Sequence, residues 1–213
     1  AQAVCDKEGW ELVKKPINWD SKDMELNSGS IDCIWNGFTM NGREDDYTFS
    51  EPYVDNSQVI VVADDSGIEK LTDLAGKTVG VQAASAALDL LQSEEEGGQK
   101  ELADTFGALN EFADYNTAFT ELQAGALDAL AIDVGVAKYQ LNSRGEGFKI
   151  LDETLNTEQY AIGFKKGNTE LCDIVNADLQ KLADDGTVAE LAEKYEIADM
   201  VTCLLYTSDA ADE

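Results

Sequence analysis

Glu25-Leu26-Asn27-Ser28-Gly29-Ser30-Ile31-Asp32-Cys33-Ile34 is nearly repeated later in the chain as Glu121-Leu122-Gln123-Ala124-Gly125-Ala126-Leu127-Asp128-Ala129-Leu130. Each copy reads as the end of an amphipathic helix, a glycine stop and an apolar strand. A helix-strand unit repeated at this distance implies two similar α/β lobes in one chain. Two facing lobes leave a cleft, and clefts are where small ligands bind. The polar residues that follow each strand are therefore the first candidates for function.

The rest of the chain extends this pattern. Trp10 to Ile17 reads as a strand closed by Pro16, and Asp23 to Asn27 as a short helix. Ile31 to Trp35 is a buried strand, Asn36 to Glu51 a polar loop, and Gln58 to Ala63 a β-branched strand. Ile68 to Leu74 reads as a short helix before the strand Thr78 to Val81, and Ser85 caps a helix that runs through Leu91. Further helices are expected at Thr117 to Ala124, Val134 to Leu141, Thr169 to Ala183 and Thr187 to Tyr195. Further strands are expected from Phe112, over Leu127 to Ile132, over Lys149 to Leu151 and over Tyr160 to Phe164. This alternation predicts mainly parallel sheets with helices on both faces. Val59 to Val62 and Tyr160 to Phe164 read as the two connections between lobes. Lobe one is then residues 1 to 60 plus 163 to 202, and lobe two residues 64 to 159. Two extended crossovers make a hinge.

Composition removes several function classes. The net charge of −28 argues against nucleic acid and anionic lipid as partners, because phosphate binding needs clustered Lys and Arg. There is no histidine, so Ser-His-Asp and Cys-His catalysis and His-ligated zinc are excluded. Cys5, Cys33, Cys172 and Cys203 form no CxxC pair. Cys5 and Cys33 either bridge, if the protein is exported, or are small buried hydrophobes. No apolar run is long enough to span a membrane. The chain opens on Ala1-Gln2-Ala3-Val4-Cys5, which reads as the middle of a helix, so an upstream N-terminal segment is expected. Cys203 to Glu213 has no apolar period and resembles the translation of a sequencing-library adapter. It is read as a non-native tail.

Four places carry polar groups suited to a ligand. Asn36-Gly37-Phe38-Thr39-Met40-Asn41-Gly42-Arg43 follows the first repeat strand, where open α/β sheets bind ligands. Gly37 admits a ligand close to the backbone, Thr39 offers a hydroxyl, and Arg43 a fork for a carboxylate. Arg43 otherwise pairs with Glu44, Asp45 or Asp46. Val81-Gln82-Ala83-Ala84-Ser85-Ala86 runs from a strand into a helix start, which favours an anion or is simply capped by Ser85. Asp133 ends the second repeat strand and either receives an ammonium or caps the helix at Val134. Trp19 either stacks on a ligand side chain or fills core. Together these groups set a carboxylate receptor against an ammonium receptor, as an α-amino acid requires.

With those segments in order, the chain resembles the extracytoplasmic solute-binding proteins of polar amino-acid ABC importers. The resemblance spans about residues 1 to 202. It rests on Trp19-Asp20, on Leu26 to Asp32, on Asn36-Gly37-Phe38-Thr39 with Arg43, and on Phe49-Ser50-Glu51-Pro52-Tyr53. It continues through Leu74 to Gln82, Leu127 through Asp133, Tyr160 to Gly167, and Asp185-Gly186-Thr187. It implies a type II periplasmic-binding fold, two α/β lobes joined by two hinge strands. It also implies capture of a free amino acid by hinge closure, delivery to a membrane permease, a monomer, no cofactor, no metal and no chemistry. The location would be the periplasm or the outer face of a bacterial membrane. At the matching positions, Arg43 with Thr39, Ser85 and Ala86 would hold the α-carboxylate. Asp133 and Gly37 would meet the ammonium. Trp19 would cover the ligand side chain, and Gln82 would lie where selectivity is set. The family's usual glycine in the strand-helix turn is Ala84 here. Two rivals share this fold: a cyclohexadienyl or arogenate dehydratase, for which Glu158 is the one candidate general acid, and the sensor domain of a receptor.

Overall fold

The computed structural model describes residues 1–195 and 197–201. The tail read above as Cys203 to Glu213 lies outside the described residues. In chain order the helices and strands are α1 (Gln2–Glu8), α2 (Lys22–Asn27), β1 (Cys33–Ile34), β2 (Tyr47–Phe49), β3 (Val54–Ala63), β4 (Thr78–Gln82), α3 (Ala86–Gln92), α4 (Lys100–Ala103), β5 (Ala108–Phe112), α5 (Tyr115–Gln123), β6 (Ala129–Asp133), α6 (Val134–Arg144), β7 (Phe148–Ile150), β8 (Asn156–Tyr160), β9 (Gly163–Lys165), α7 (Thr169–Asp184) and α8 (Thr187–Lys194). No helix among them is long and apolar enough to cross a membrane.

Both copies of the repeat close in the same way. Gly29 (φ 74°) and Gly125 (φ 73°) are left-handed. Gly29 N–H donates to the Leu26 carbonyl and Ser30 N–H to that of Glu25; Gly125 and Ala126 donate likewise to Leu122 and Glu121. This is one Schellman cap used twice, and it needs a residue without a Cβ at the left-handed position. Leu26 and Leu122 are buried beneath the two caps. The space around both glycines is open, so the cost of a side chain there is conformational. Gly125→Ala is expected to lower stability by about 1–2 kcal/mol in urea unfolding. An unchanged midpoint would contradict the cap.

The chain divides into two compact units. The first holds Ala1–Ile17, Ser21–Asp55 and the described residues from Glu158 onward. The second holds Asn18–Asp20 and Asn56–Thr157. Besides the short excursion at Asn18–Asp20, the chain passes between them inside β3 and inside β8, earlier in each segment than the sequence reading set the lobe limits.

The second unit is built on one sheet in the order β5-β4-β6-β3-β7, with β8 also paired to β3. β4 runs parallel to β5 and β6, whereas β3 runs antiparallel to β6 and β7. β3 lies between the two strands that α6 connects, so the crossover β6-α6-β7 spans it. The run Val59 to Val62 shows no polar alternation because both its faces are covered. Ile60 and Val62 pack with Val79, Val81, Leu88 and Leu91; Val59 and Val61 pack with Phe119, Leu122, Leu130 and Ile132.

The first unit departs from the expected parallel arrangement. Its sheet is β1-β9-β2, and both pairings are antiparallel. No helical crossover joins β1 to β2, and β9 enters between them from far along the chain. Val4, Ile162, Phe164, Cys172, Val175, Leu179 and Leu182 form its core. Five segment readings are corrected. Phe112 ends its strand, β5, instead of beginning it, and the loop Asn36 to Glu51 contains β2. Trp10 to Ile17 forms no strand: its backbone joins no ladder, and Trp10 and Val13 are exposed. Tyr160 to Phe164 is split between β8 and β9, which pair with different partners. Of Ile68 to Leu74 only Leu71–Leu74 coils, as a 3-10 turn.

Cys5, Cys33 and Cys172 are free thiols. Burial pushes the Cys33 thiol up to about 11, with Asp32 and Cys5 adding to the rise. A thiol raised on folding adds stability that is complete below its unfolded value near 8.5 and is lost as pH climbs through about 11. At pH 8, alkylation of native Cys33 is therefore expected to be about a hundredfold slower than in the urea-unfolded chain. Equal rates, read by mass spectrometry, would contradict this burial.

Candidate functional site

In the first unit, the loop after β1 lies against the end of β8. Phe38 and Met40 exchange backbone hydrogen bonds with Ala161 and Gln159, and Thr39 bridges to Tyr160. A Cβ on Gly37 would stand 2.9 Å from the Tyr160 ring. The absent side chain at Gly37 thus makes room for Tyr160. Thr39 is buried, and its hydroxyl donates to Glu158 Oε1 at 2.8 Å.

Arg43 is half-buried where a turn, closed by its N–H on the Met40 carbonyl, brings it back over this loop. Its Nη1 reaches the Thr39 carbonyl at 3.4 Å, and its guanidinium lies 5.4 Å from the centre of the Phe38 ring. Gly37, Thr39 and Arg43 are therefore brought together, with Glu158 bonded to Thr39 and the Tyr160 ring against Gly37.

In the second unit, β4 and β6 are parallel neighbours, so Gln82 and Asp133 end at the same edge of the sheet. After Gln82, Ala84 takes a left-handed φ of 54° and Ser85 becomes the N-cap of α3. The buried Ser85 hydroxyl accepts from Leu88 N–H at 3.2 Å, so ordinary capping occupies it. Gln82 donates to the Ala113 carbonyl at 3.2 Å. Trp19 is half-buried, and its indole N–H donates to the Ala84 carbonyl at 3.0 Å. The turn Ala84-Ser85-Ala86 and Trp19 are thus held together. A left-handed alanine costs about 1–2 kcal/mol, of which glycine's freer unfolded state takes back about 0.4–1. Ala84→Gly is expected to stabilise the protein by about 0.5–1 kcal/mol, read as a raised urea midpoint. A lowered midpoint would show that the turn is not strained.

Asp133 does not take up the helix-cap alternative left open by its sequence context. It stands at the N-cap position of α6 yet makes no side-chain cap bond. Its Oδ1 instead accepts from Gln58 Nε2 at 2.8 Å and Asn56 Nδ2 at 3.1 Å, and its Oδ2 from the Tyr115 hydroxyl at 3.1 Å. Asp133 is 9% exposed, Asn56 2% and Gln58 0%. Gln58 is the direct cross-strand partner of Asp133. Tyr115 opens α5, whose N-cap Asp114 accepts from Thr117 N–H and Thr117 hydroxyl, both at 2.9 Å. Those two bonds hold the Asp114 carboxyl below its ordinary value. Asn56, Gln58 and Tyr115 were not singled out in the sequence. A signal existed, since Asn56 and Gln58 are polar at a spacing of two at the head of a β-branched strand. Only the register places them on Asp133.

A guanidinium, Arg43, and a carboxylate, Asp133, therefore sit on a loop and a strand end, one in each unit. Among the described residues no group of three or more Cys, Asp or Glu side chains is arranged to hold a metal ion. The sequence profile of the bacterial extracellular solute-binding proteins, family 3, matches residues 1–198. This chain belongs to that family. Among the relatives of this solute-binding protein, the arginine-binding extracellular protein ArtP of Bacillus subtilis (strain 168) is 32% identical over 199 residues, covering 92% of this chain and 74% of the relative. The L-cystine-binding protein TcyJ of Escherichia coli (strain K12) is 28% identical over 203 residues, covering 94% and 73%. A Streptococcus pneumoniae ABC uptake transporter substrate-binding protein, solved with bound histidine, superposes with a TM-score of 0.87 at 33% identity, covering 95% of this chain and 82% of that one. The fold is that of these periplasmic binding proteins, the type II class the sequence implied.

Proposed function

We propose that this solute-binding protein captures a free amino acid as the zwitterion and delivers it to an ABC permease, acting as a monomer outside the cytoplasmic membrane. Arg43 receives the α-carboxylate through its fork, supported by Thr39 and by the turn at Ser85 and Ala86. Asp133 receives the α-ammonium, with the Gly37 backbone as a second acceptor. Trp19 covers the ligand side chain, and Gln82 contributes to selectivity. The observation that carries this reading is Asp133. Asp133 is an almost fully buried carboxylate at a strand end, bonded by Gln58, Asn56 and the Tyr115 hydroxyl rather than turned into a helix cap.

No reaction is performed on the amino acid in this reading. Glu158, the candidate acid of the dehydratase rival, is 3% exposed and accepts from Thr39. Relatives that bind arginine, cystine and histidine make those three the first ligands to try.

A thermal-shift panel of free amino acids and cystine tests the reading. A ligand at about 100 times its Kd adds about 2.7 kcal/mol, worth several degrees at about 2–4 °C per kcal/mol. A shift with one or a few amino acids is the expected result. No shift with any of them, together with turnover of prephenate, would replace this reading with the enzyme.

A further inference from the structure

Asp133 is gripped on both oxygens, and the groups that grip it come from two separate elements. Gln58 and Asn56 lie on β3, both donating to Oδ1; Tyr115 lies at the start of α5 and donates to Oδ2. A carboxylate bonded on one oxygen still turns about its Cβ–Cγ bond, whereas one bonded on both has a set plane. The elements behind the donors are themselves fixed. The ladder of β3 with β6 sets Gln58 opposite Asp133, and the doubly bonded Asp114 cap sets the first turn of α5. A carboxylate buried only for packing is usually matched or bettered by an apolar side chain of similar size. Three polar side chains spent on one carboxylate indicate that its orientation matters.

We propose that Tyr115, Gln58 and Asn56 are positioning residues of the ammonium receptor: they set the plane of the Asp133 carboxylate and do not touch the amino acid. The inference rests on the amino-acid reading above. Asn56 is also the first residue of the second unit after the chain passes through β3. One of the three groups that orient the receptor thus belongs to a connecting strand, at the point of crossing.

The test compares an amino acid with the same molecule lacking its ammonium. L-arginine, L-histidine and L-glutamine are each titrated calorimetrically beside their des-amino analogues, into wild type, Tyr115→Phe and Asn56→Ser. Both variants are checked for an unchanged unfolding midpoint without ligand. The wild type is expected to prefer the amino acid. In Tyr115→Phe that preference is expected to fall about tenfold, the range for a hydrogen bond to a charged group, while affinity for the des-amino analogue stays within about twofold. In an Asp133→Asn background, Tyr115→Phe is expected to add nothing, because residues acting through one group are not additive. Equal losses for both molecules of a pair, or the same loss in the Asp133→Asn background, would overturn the positioning role and leave the amino-acid reading in place. A wild type that binds no amino acid of the thermal-shift panel overturns both; one that binds a different member of that panel is compared with the des-amino analogue of that amino acid. Should Tyr115→Phe lower the unfolding midpoint, Asn56→Ser supplies the same comparison from the other oxygen.

Discussion

Asp133→Ala is expected to weaken amino-acid binding by 100-fold or more while leaving the protein folded. Truncating one partner of a buried charge pair costs about 2–5 kcal/mol in a complex, and each 1.4 kcal/mol is tenfold. The loss is large because the partner is stranded: an ammonium taken out of water without its carboxylate bears its full desolvation. Asp133 makes no cap bond to α6, so the helix start does not depend on its side chain. The substitution does leave the Asn56 and Gln58 amides and the Tyr115 hydroxyl without this acceptor. Asp133→Asn keeps an acceptor oxygen there and is the milder companion. Calorimetric titration measures the loss and urea unfolding controls for the fold. Wild-type affinity in Asp133→Ala would remove Asp133 from the site.

The largest loss of stability is expected from Phe38→Ala. Phe38 is fully buried in the first unit, edge-on to Tyr47 at 5.0 Å and tilted against Phe49 at 5.4 Å. Its ring lies over Gly163, where a Cβ would approach to 2.6 Å. Gly163 is paired with both Ile34 and Phe49 in the middle of its sheet, so the missing side chain creates the floor on which Phe38 rests. Removing a buried Phe costs about 3–5 kcal/mol, against a total of about 5–15 for a typical domain. Arg43 also loses the ring under its guanidinium, so the carboxylate receptor proposed for it loosens as the core does. Gly163→Ala is expected to cost about 1–3 kcal/mol by overpacking the same space. The pair gives a sharper test than either alone. In Phe38→Ala the added methyl of Gly163→Ala finds room, so the double variant should be more stable than the sum of the two losses predicts. Additive losses would mean that Phe38 and Gly163 do not share this space.

Local chemistry was legible without coordinates. The two glycine caps, the Ser85 cap, the β-branched run of β3 and the amphipathic α7 each depend on residues within a few positions of one another. Such interactions leave their mark in short spacings. The ordered family segments likewise named Arg43, Thr39 and Asp133 as a set. Segments whose state depends on a distant partner were misread. Trp10 to Ile17 has strand-forming residues but joins no ladder among the described residues. The first unit's sheet became antiparallel because β9 enters it from residues far along the chain.

The sequence by itself thus determined the family and the repeated helix-strand units, since these follow from residue type and near neighbours. Tertiary structure alone decided what each group does. Gly37 makes room for Tyr160, Thr39 holds Glu158, and Asp133 faces Gln58, Asn56 and Tyr115 instead of its own helix. A buried polar atom must bond to whatever the fold brings within about 3 Å of it. Strand register and chain crossings choose that neighbour, and residue spacing does not encode it.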